Sequence, residues 1–280
     1  MVKNVRKWSL IISSGITLFA VLACNASFTV LNPTPTPVLP TPEPVLPASA
    51  PTVAMPSSPS VSQQVTLVSV PFSETNPGGD FPAFTISTQT PQLSGSDDPR
   101  VQAFNQRLND LIAKEVEMWR QSFQQAILTP NSNGSSLDVK FTLVSQVDDL
   151  WSFKFDFSFY SDGAAHPGSY SITMNYDLAQ GRELALGDLF LVNSNYLETI
   201  AAYCKTELGK QPFFDPVFAT GADPTVENYR NWNIAADGLR ITFDQYQVAP
   251  GAAGPQSVTV PYAELAAFID PNGPLKGALQ

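Results

Sequence analysis

The stretch WSFKFDFSFYSDGAAHPG, residues 151–168, decides the fold. Trp151, Phe153, Phe155, Phe157 and Phe159 fall on every second position, with Ser152, Lys154, Asp156 and Ser158 between them. A period of two belongs to a β-strand, whose alternate side chains point to opposite faces of a sheet. One face of this strand is therefore aromatic and the other polar. The aromatic face has two competing uses, as an exposed platform or as core. Covering it contributes roughly 1.5–3 kcal/mol per ring, whereas leaving it bare makes an apolar patch prone to association. The strand is expected to be core, ended by the turn formers Gly163, Pro167 and Gly168.

Such a face needs a cover, and the sequence supplies one upstream. Asp98 can cap a helix with Pro99 at its first position. Beyond it Val101, Phe104, Leu108, Leu111, Ile112, Val116, Trp119 and Phe123 recur at threes and fours, which predicts one apolar stripe. The helix should stop before Pro130. QVTLVSV (64–70) and AFTIST (83–88) read as strands before it, and LDVKFTLVS (137–145) and SYSITMNYDL (169–178) flank the aromatic strand. Short connections favour antiparallel neighbours there. A second helix is predicted over residues 194–208, where Leu197, Ile200, Ala201, Cys204 and Leu208 share a stripe, so Cys204 reads as a buried thiol. NWNIAADGLRITFDQYQVAP (231–250) reads as two strands joined at Asp237-Gly238, and QSVTVPY (256–262) as another, with a short helix after Pro261. Together these elements predict an α+β fold with a mainly antiparallel sheet and helices packed on one face.

The N-terminus sets the compartment. Lys3, Arg6 and Lys7 precede an apolar run over residues 8–22, which ends in VLAC at Cys24. A cysteine at this place resembles a bacterial lipoprotein signal, so Cys24 is the expected lipidation site and its acyl chains the expected link to a bilayer. That puts the rest of the chain on the outer face of a bacterial membrane. Residues 33–60 carry ten of the 25 prolines and predict a disordered tether, roughly 80 Å long if fully extended at about 3.1 Å per residue. The expected organisation is a signal peptide over 1–23 and a tether over 24–62. Strands and the long helix then occupy 63–135, the C-terminal domain 136–272 and a tail 273–280.

Composition narrows the chemistry. Losing Lys3, Arg6 and Lys7 leaves 12 basic against 25 acidic residues, a net charge near −13. Nucleic acid is excluded as a partner, because phosphate binding needs basic stripes; a cationic partner would be attracted. With Cys24 acylated, Cys204 has no disulfide partner. One histidine and one buried cysteine do not make a zinc site, so no metal and no cofactor are expected. Ser161, Asp162, His166 and Ser169 lie close together in sequence but lack a nucleophile elbow. Pairs drawn from Asp148, Asp149, Asp156 and Asp162 carry little weight among 25 acidic residues. No catalytic residue is assigned. His166, in DGAAHPG, reads as a turn-holding side chain, with ligand contact as the alternative.

Three stretches carry a family resemblance. SDGAAHPGSYSITMNYDLAQGRELALGDLF is similar to the segment of RsiV-like domains with an Ala-His motif, a D-x-x-x-G turn and an L-x-D-L-F ending. DGLRITFDQYQVAPGAAGPQSVTVPYAEL resembles the later half of the same domain. DPRVQAFNQRLNDLIAKEV resembles the companion N-terminal region, with Asn105 in the matching helix. The family is the extracytoplasmic domain of unknown function shared by RsiV and the N-terminal region of PdaC-type deacetylases. The resemblance spans roughly residues 65–270 and implies an α+β domain without an established catalytic site. It also implies a cell-wall-related ligand such as peptidoglycan, or a cationic lysozyme-like protein, as partner. Gly163, His166, Asp177, Gly181, Asp188, Phe190, Tyr246, Pro250, Gly254 and Pro255 are the residues that match its motifs, most of them as determinants of the fold. Of these, His166, Tyr246, Pro250 and Gly254 are the candidate ligand contacts. A glycan hydrolase or deacetylase using His166 and Asp162, and a purely structural lipoprotein, are the alternatives.

Overall fold

The computed structural model describes residues 60–127 and 133–276. The signal-like segment, Cys24 and the proline-rich stretch up to residue 59 lie outside the described residues. The elements are β1 Thr66–Asn76, β2 Phe84–Ser94, α1 Pro99–Gln124, β3 Ser135–Val147, β4 Leu150–Tyr160, β5 Gly168–Asp177 and β6 Arg182–Glu183. They continue with α2 Tyr196–Leu208, β7 Trp232–Ala235, β8 Gly238–Phe243, β9 Gln256–Pro261 and α3 Tyr262–Leu265. The fold is α+β and mostly sheet.

The aromatic strand is core. Trp151, Phe153, Phe155 and Phe157 are at most 2% exposed, and Phe159 is partly buried against the same cluster. Their cover is α1. Its first free N–H groups are met by the Asp98 carboxylate, which accepts from the Arg100 amide at 2.8 Å. The helix buries Val101, Phe104, Leu108, Leu111, Ile112, Val116 and Phe123. Phe104 meets Tyr176 edge-on at 5.1 Å between ring centroids, and Trp119 packs on Phe159 at 4.3 Å.

Strands β1 to β6 form one sheet in sequence order. Neighbours are antiparallel except β2 and β3, which run parallel. The exception follows from α1, because a helical crossover returns the chain to the end of the sheet it left.

The single expected sheet is in fact two. Strands β7, β8 and β9 form a separate antiparallel sheet, and α2 lies against β9. This sheet and α2 hold a second core, with Ile200, Cys204, Trp232, Leu239, Ile241 and Phe243. The reason lies in the polar face of the large sheet: it offers an apolar helix stripe nothing to pack on, so α2 needs its own apolar sheet. Gly238 marks the tightness of the β7–β8 turn. At φ 158° its backbone passes so close to β9 that a Cβ would stand 2.2 Å from the Val260 carbonyl.

The small sheet is joined to the large one by hydrogen bonds to the edge of β7. The Trp232 amide donates to Thr173 Oγ1 at 2.9 Å and the Ile234 amide to Asn175 Oδ1 at 3.1 Å. Asn175 Nδ2 donates to the Trp232 carbonyl at 2.8 Å, and Ser145 Oγ to the Ile234 carbonyl at 2.5 Å. Asn233 Nδ2 reaches Ser152 Oγ and the Phe153 carbonyl, both at 2.9 Å. Side chains from one sheet face thus pair the backbone of an edge strand that would otherwise stay unsatisfied.

The described chain begins on the large sheet. Val61 and Ser62 are buried. Asp149, in the β3–β4 turn, accepts from Ser60 Oγ at 2.7 Å and from the Ser62 amide at 2.8 Å. The Trp151 indole N–H donates to Ser62 Oγ at 2.7 Å.

Candidate functional site

The candidate contacts Tyr246, Pro250 and Gly254 share the loop between β8 and β9. Tyr246 has φ 70°, a left-handed backbone that a bulky side chain seldom adopts. Its ring is 55% exposed and lies on the backbone of Gly251, where a Cβ would come within 2.1 Å of the ring. Three glutamine amides hold the loop. Gln245 Nε2 donates to the Gly251 carbonyl at 2.9 Å. Gln247 Nε2 donates to the carbonyls of Gly221 and Asn228, at 3.0 and 2.9 Å. Gln256 Nε2 donates to those of Ala253 and Gly254, at 2.8 and 3.1 Å. The Pro250 carbonyl accepts from the Ala253 amide at 2.9 Å and starts a short 3-10 turn that ends at Gly254. The result is a loop closed by its own hydrogen bonds, with the Tyr246 ring exposed.

His166 sits elsewhere, in the exposed β4–β5 loop. Its Nδ1 lies 3.0 Å from the Pro167 carbonyl. Among the described residues it forms no hydrogen bond with Ser161, Asp162 or Ser169, nor with the 244–256 loop. Asp162 is held through its own amide by Ser135 Oγ at 3.0 Å. The start of the 244–256 loop is instead tied to β5, since Asp244 accepts from the Ser171 amide at 2.8 Å and from Arg230 at 2.6 Å.

A cleft of about 690 Å³, not anticipated from the sequence, opens where the β3–β4, β5–β6 and β7–β8 turns meet the C-terminal segment. Asp148, Asp149, Asp177, Asp188 and Asp270 line it together with Arg182 and Lys276. Most of these carboxylates already have partners. Asp188 pairs with Arg182 at 2.6 Å and accepts from the Ala185 amide at 2.9 Å. Asp177 accepts from the Gln180 amide and Asp270 from the Asn272 amide, both at 2.9 Å. Burial pushes the Asp149 and Asp188 carboxyls up, but the donors of Ser60 and Ser62 on one, and Arg182 on the other, outweigh it and hold both below the usual carboxylate range. A general acid needs the opposite displacement. The adjacent pair Asp148-Asp149 is the one hint of this cleft in the sequence; its other walls come from segments far apart along the chain.

Among the described residues no group of three or more His, Cys, Asp or Glu side chains is placed to hold a metal ion. Cys204 is fully buried, and burial pushes its thiol up to about 12, which leaves it unreactive at neutral pH. No described helix is long and apolar enough to cross a membrane.

Residues 187–263 match the family described as "Protein of unknown function (DUF3298)". The chain is 27% identical over 150 residues to the peptidoglycan-N-acetylmuramic acid deacetylase PdaC of Bacillus subtilis, covering 52% of this chain and 32% of the relative. It is 31% identical over 106 residues to the esterase Rv3036c of Mycobacterium tuberculosis, covering 37% of this chain and 46% of the relative. The chain thus spans 32% and 46% of the lengths of these two curated relatives. A crystal structure of a DUF3298 family member from Bacteroides fragilis aligns with a TM-score of 0.56 at 15% identity, over 77% of this chain and 97% of the other. That likeness is one of fold. Residues 187–263 include α2, the small sheet and the loop that carries Tyr246.

Proposed function

We propose that this chain is a non-enzymatic binding lipoprotein of the bacterial cell envelope, anchored through acylated Cys24 on the outer face of a membrane. Its ligand is a cationic, lysozyme-like protein, with peptidoglycan as the second candidate. The observation that carries the reading is the 244–256 loop. Tyr246 takes a left-handed backbone, and its exposed ring lies against Gly251, which carries no Cβ to displace it. A pre-organised aromatic loses little entropy on contact, which is how binding surfaces use tyrosine. The acidic balance favours a cationic partner. The RsiV-like resemblance and the similarity to a peptidoglycan deacetylase support an envelope setting.

Similarity to a deacetylase and an esterase also motivates an enzymatic reading centred on His166. Its ring touches a neighbouring carbonyl rather than a nucleophile, which is why binding is preferred. A retention assay of the full mature protein against lysozyme and purified peptidoglycan, run beside an activity assay, tests the choice. Retention without turnover is the expected result. Turnover of peptidoglycan that disappears in His166→Ala would make the protein an enzyme, and retention of neither material would make it a structural lipoprotein.

The partner class can be read from salt. Steering by net charge acts over the Debye length, about 10 Å at 0.1 M and about 3 Å at 1 M. For a lysozyme-like partner the association rate should fall steeply over that range while dissociation changes little. Peptidoglycan binding should be nearly flat. A flat association rate for lysozyme would remove charge from the case.

A further inference from the structure

The two concave regions of the molecule treat their carboxylates differently. In the cleft at the strand turns, Asp188 pairs with Arg182, Asp149, Asp177 and Asp270 accept from backbone amides, and Lys276 also lies in the lining. A groove of about 620 Å³ along the outer side of α2 has no basic residue in its lining. Its floor is Ala202 with the half-buried rings of Tyr203 and Phe268, and its rim carries Glu198, Glu207 and Glu264. Glu198 and Glu264 are exposed and make no ion pair or hydrogen bond among the described residues, while Glu207 pairs with Lys210. The buried stripe of α2 is Ile200, Ala201, Cys204 and Leu208, so the groove occupies a second face that this fold does not cover.

We infer that this groove receives lysine or arginine side chains of a basic protein partner. Aromatic floor and carboxylate rim match the two halves of such a side chain. The aliphatic stem or guanidinium plane lies on Tyr203 and Phe268, and the charged head reaches Glu198 and Glu264. Small Ala202 leaves the floor open. The groove, not the larger cleft, is the cationic site because Glu198 and Glu264 are unpaired among the described residues and no basic residue lines the groove, whereas Arg182 and Lys276 line the cleft. This rests on the reading of a cationic partner and names the surface that meets it.

The test uses the full mature protein and a fluorescently labelled nona-arginine peptide, followed by anisotropy at low salt. Three variants are compared with wild type. Glu198→Gln/Glu264→Gln removes two charges from the groove. Asp148→Asn/Asp270→Asn removes two from the cleft and matches it in net charge. Ala202→Arg places a tethered guanidinium on the exposed floor. The groove variant and Ala202→Arg should each weaken binding roughly tenfold, and the cleft variant by less than about twofold. Equal loss in the two charge-matched variants would reduce the effect to overall charge and overturn the site. Greater loss in the cleft variant would move the site there, and absent binding to wild type would also overturn it. Failure of lysozyme retention alone, with the peptide result intact, would count against the proposed partner rather than the groove.

Discussion

The two faces of the large sheet are built from the same strands by different physics. Toward α1, β4 presents rings, and the face is dry: Phe153, Phe155 and Phe157 are fully buried among other apolar groups. Toward β7, the same strand offers Ser152, and its neighbours offer Ser145, Thr173 and Asn175. Area burial holds the first face, while the second works by pairing the backbone of an edge strand. Non-directional burial tolerates approximate fit, but hydrogen bonds at 2.5–3.1 Å fix β7 to one register on the sheet. One sheet therefore carries a strong seam and a specific one.

The sharpest way to break this contrast is on the dry side. Phe155→Ala should destabilise by roughly 3–5 kcal/mol through the cavity it leaves, read as a shift in the denaturant midpoint at unchanged slope. A variant that melts like wild type would mean that α1 does not cover the ring. On the polar side, Asn175→Ala removes the partner of both the Ile234 amide and the Trp232 carbonyl. The expected cost is about 1–3 kcal/mol, with amide exchange at Ile234 rising ahead of exchange in β4. Equal acceleration across both sheets would mean that the seam is not a separate unit.

The smallest expected effect sharpens the α1 side. Hydrogen bonds from Arg100's side chain and backbone lower the Asp98 carboxyl to about 2, from an ordinary 3.8. Its folded value lies below its unfolded one, so its contribution is complete above pH 3.8 and is lost as pH falls through about 2. The melting temperature of Asp98→Asn should lie below wild type at pH 5 and converge with it near pH 2, weakly and less so in high salt. A gap that persists at pH 2 would point to a cap independent of charge.

Much of the dry side is legible in the sequence. Aromatics at period two and a helix stripe at threes and fours predict that α1 covers the aromatic face of β4, while the individual ring contacts, such as Phe104 on Phe153 and Tyr176, are set by the fold. The seam is not legible, because Ser145, Thr173 and Asn175 look like any solvated residues on a polar strand face. Only the fold shows that an edge strand lies across them. The candidate contacts divide in the same way. Tyr246, Pro250 and Gly254 fall in one loop, as their spacing suggests, but the left-handed backbone at Tyr246 has no sequence signature, since tyrosine is not a residue that announces it. His166 lies in a different loop, with β5, β6, α2, β7 and β8 between the two along the chain. The outer face of α2 does not stand out in the sequence, since its glutamates and threonines read as ordinary solvent-facing positions. Its concavity depends on Phe268, which lies far along the chain in another segment.

Tension applied to the chain ahead of Ser60 would reach the domain at the β3–β4 turn before it reached any strand. The first load falls on one carboxylate, Asp149, which holds Ser60 and Ser62, and on the indole of Trp151, which holds Ser62 from within the core. The long β1–β2 ladder lies behind them and takes strain only after they part. Short local contacts thus act as a fuse for the sheet: their parting would uncover Trp151 at the end of the aromatic face, while Phe153, Phe155 and Phe157 lie deeper in the same core.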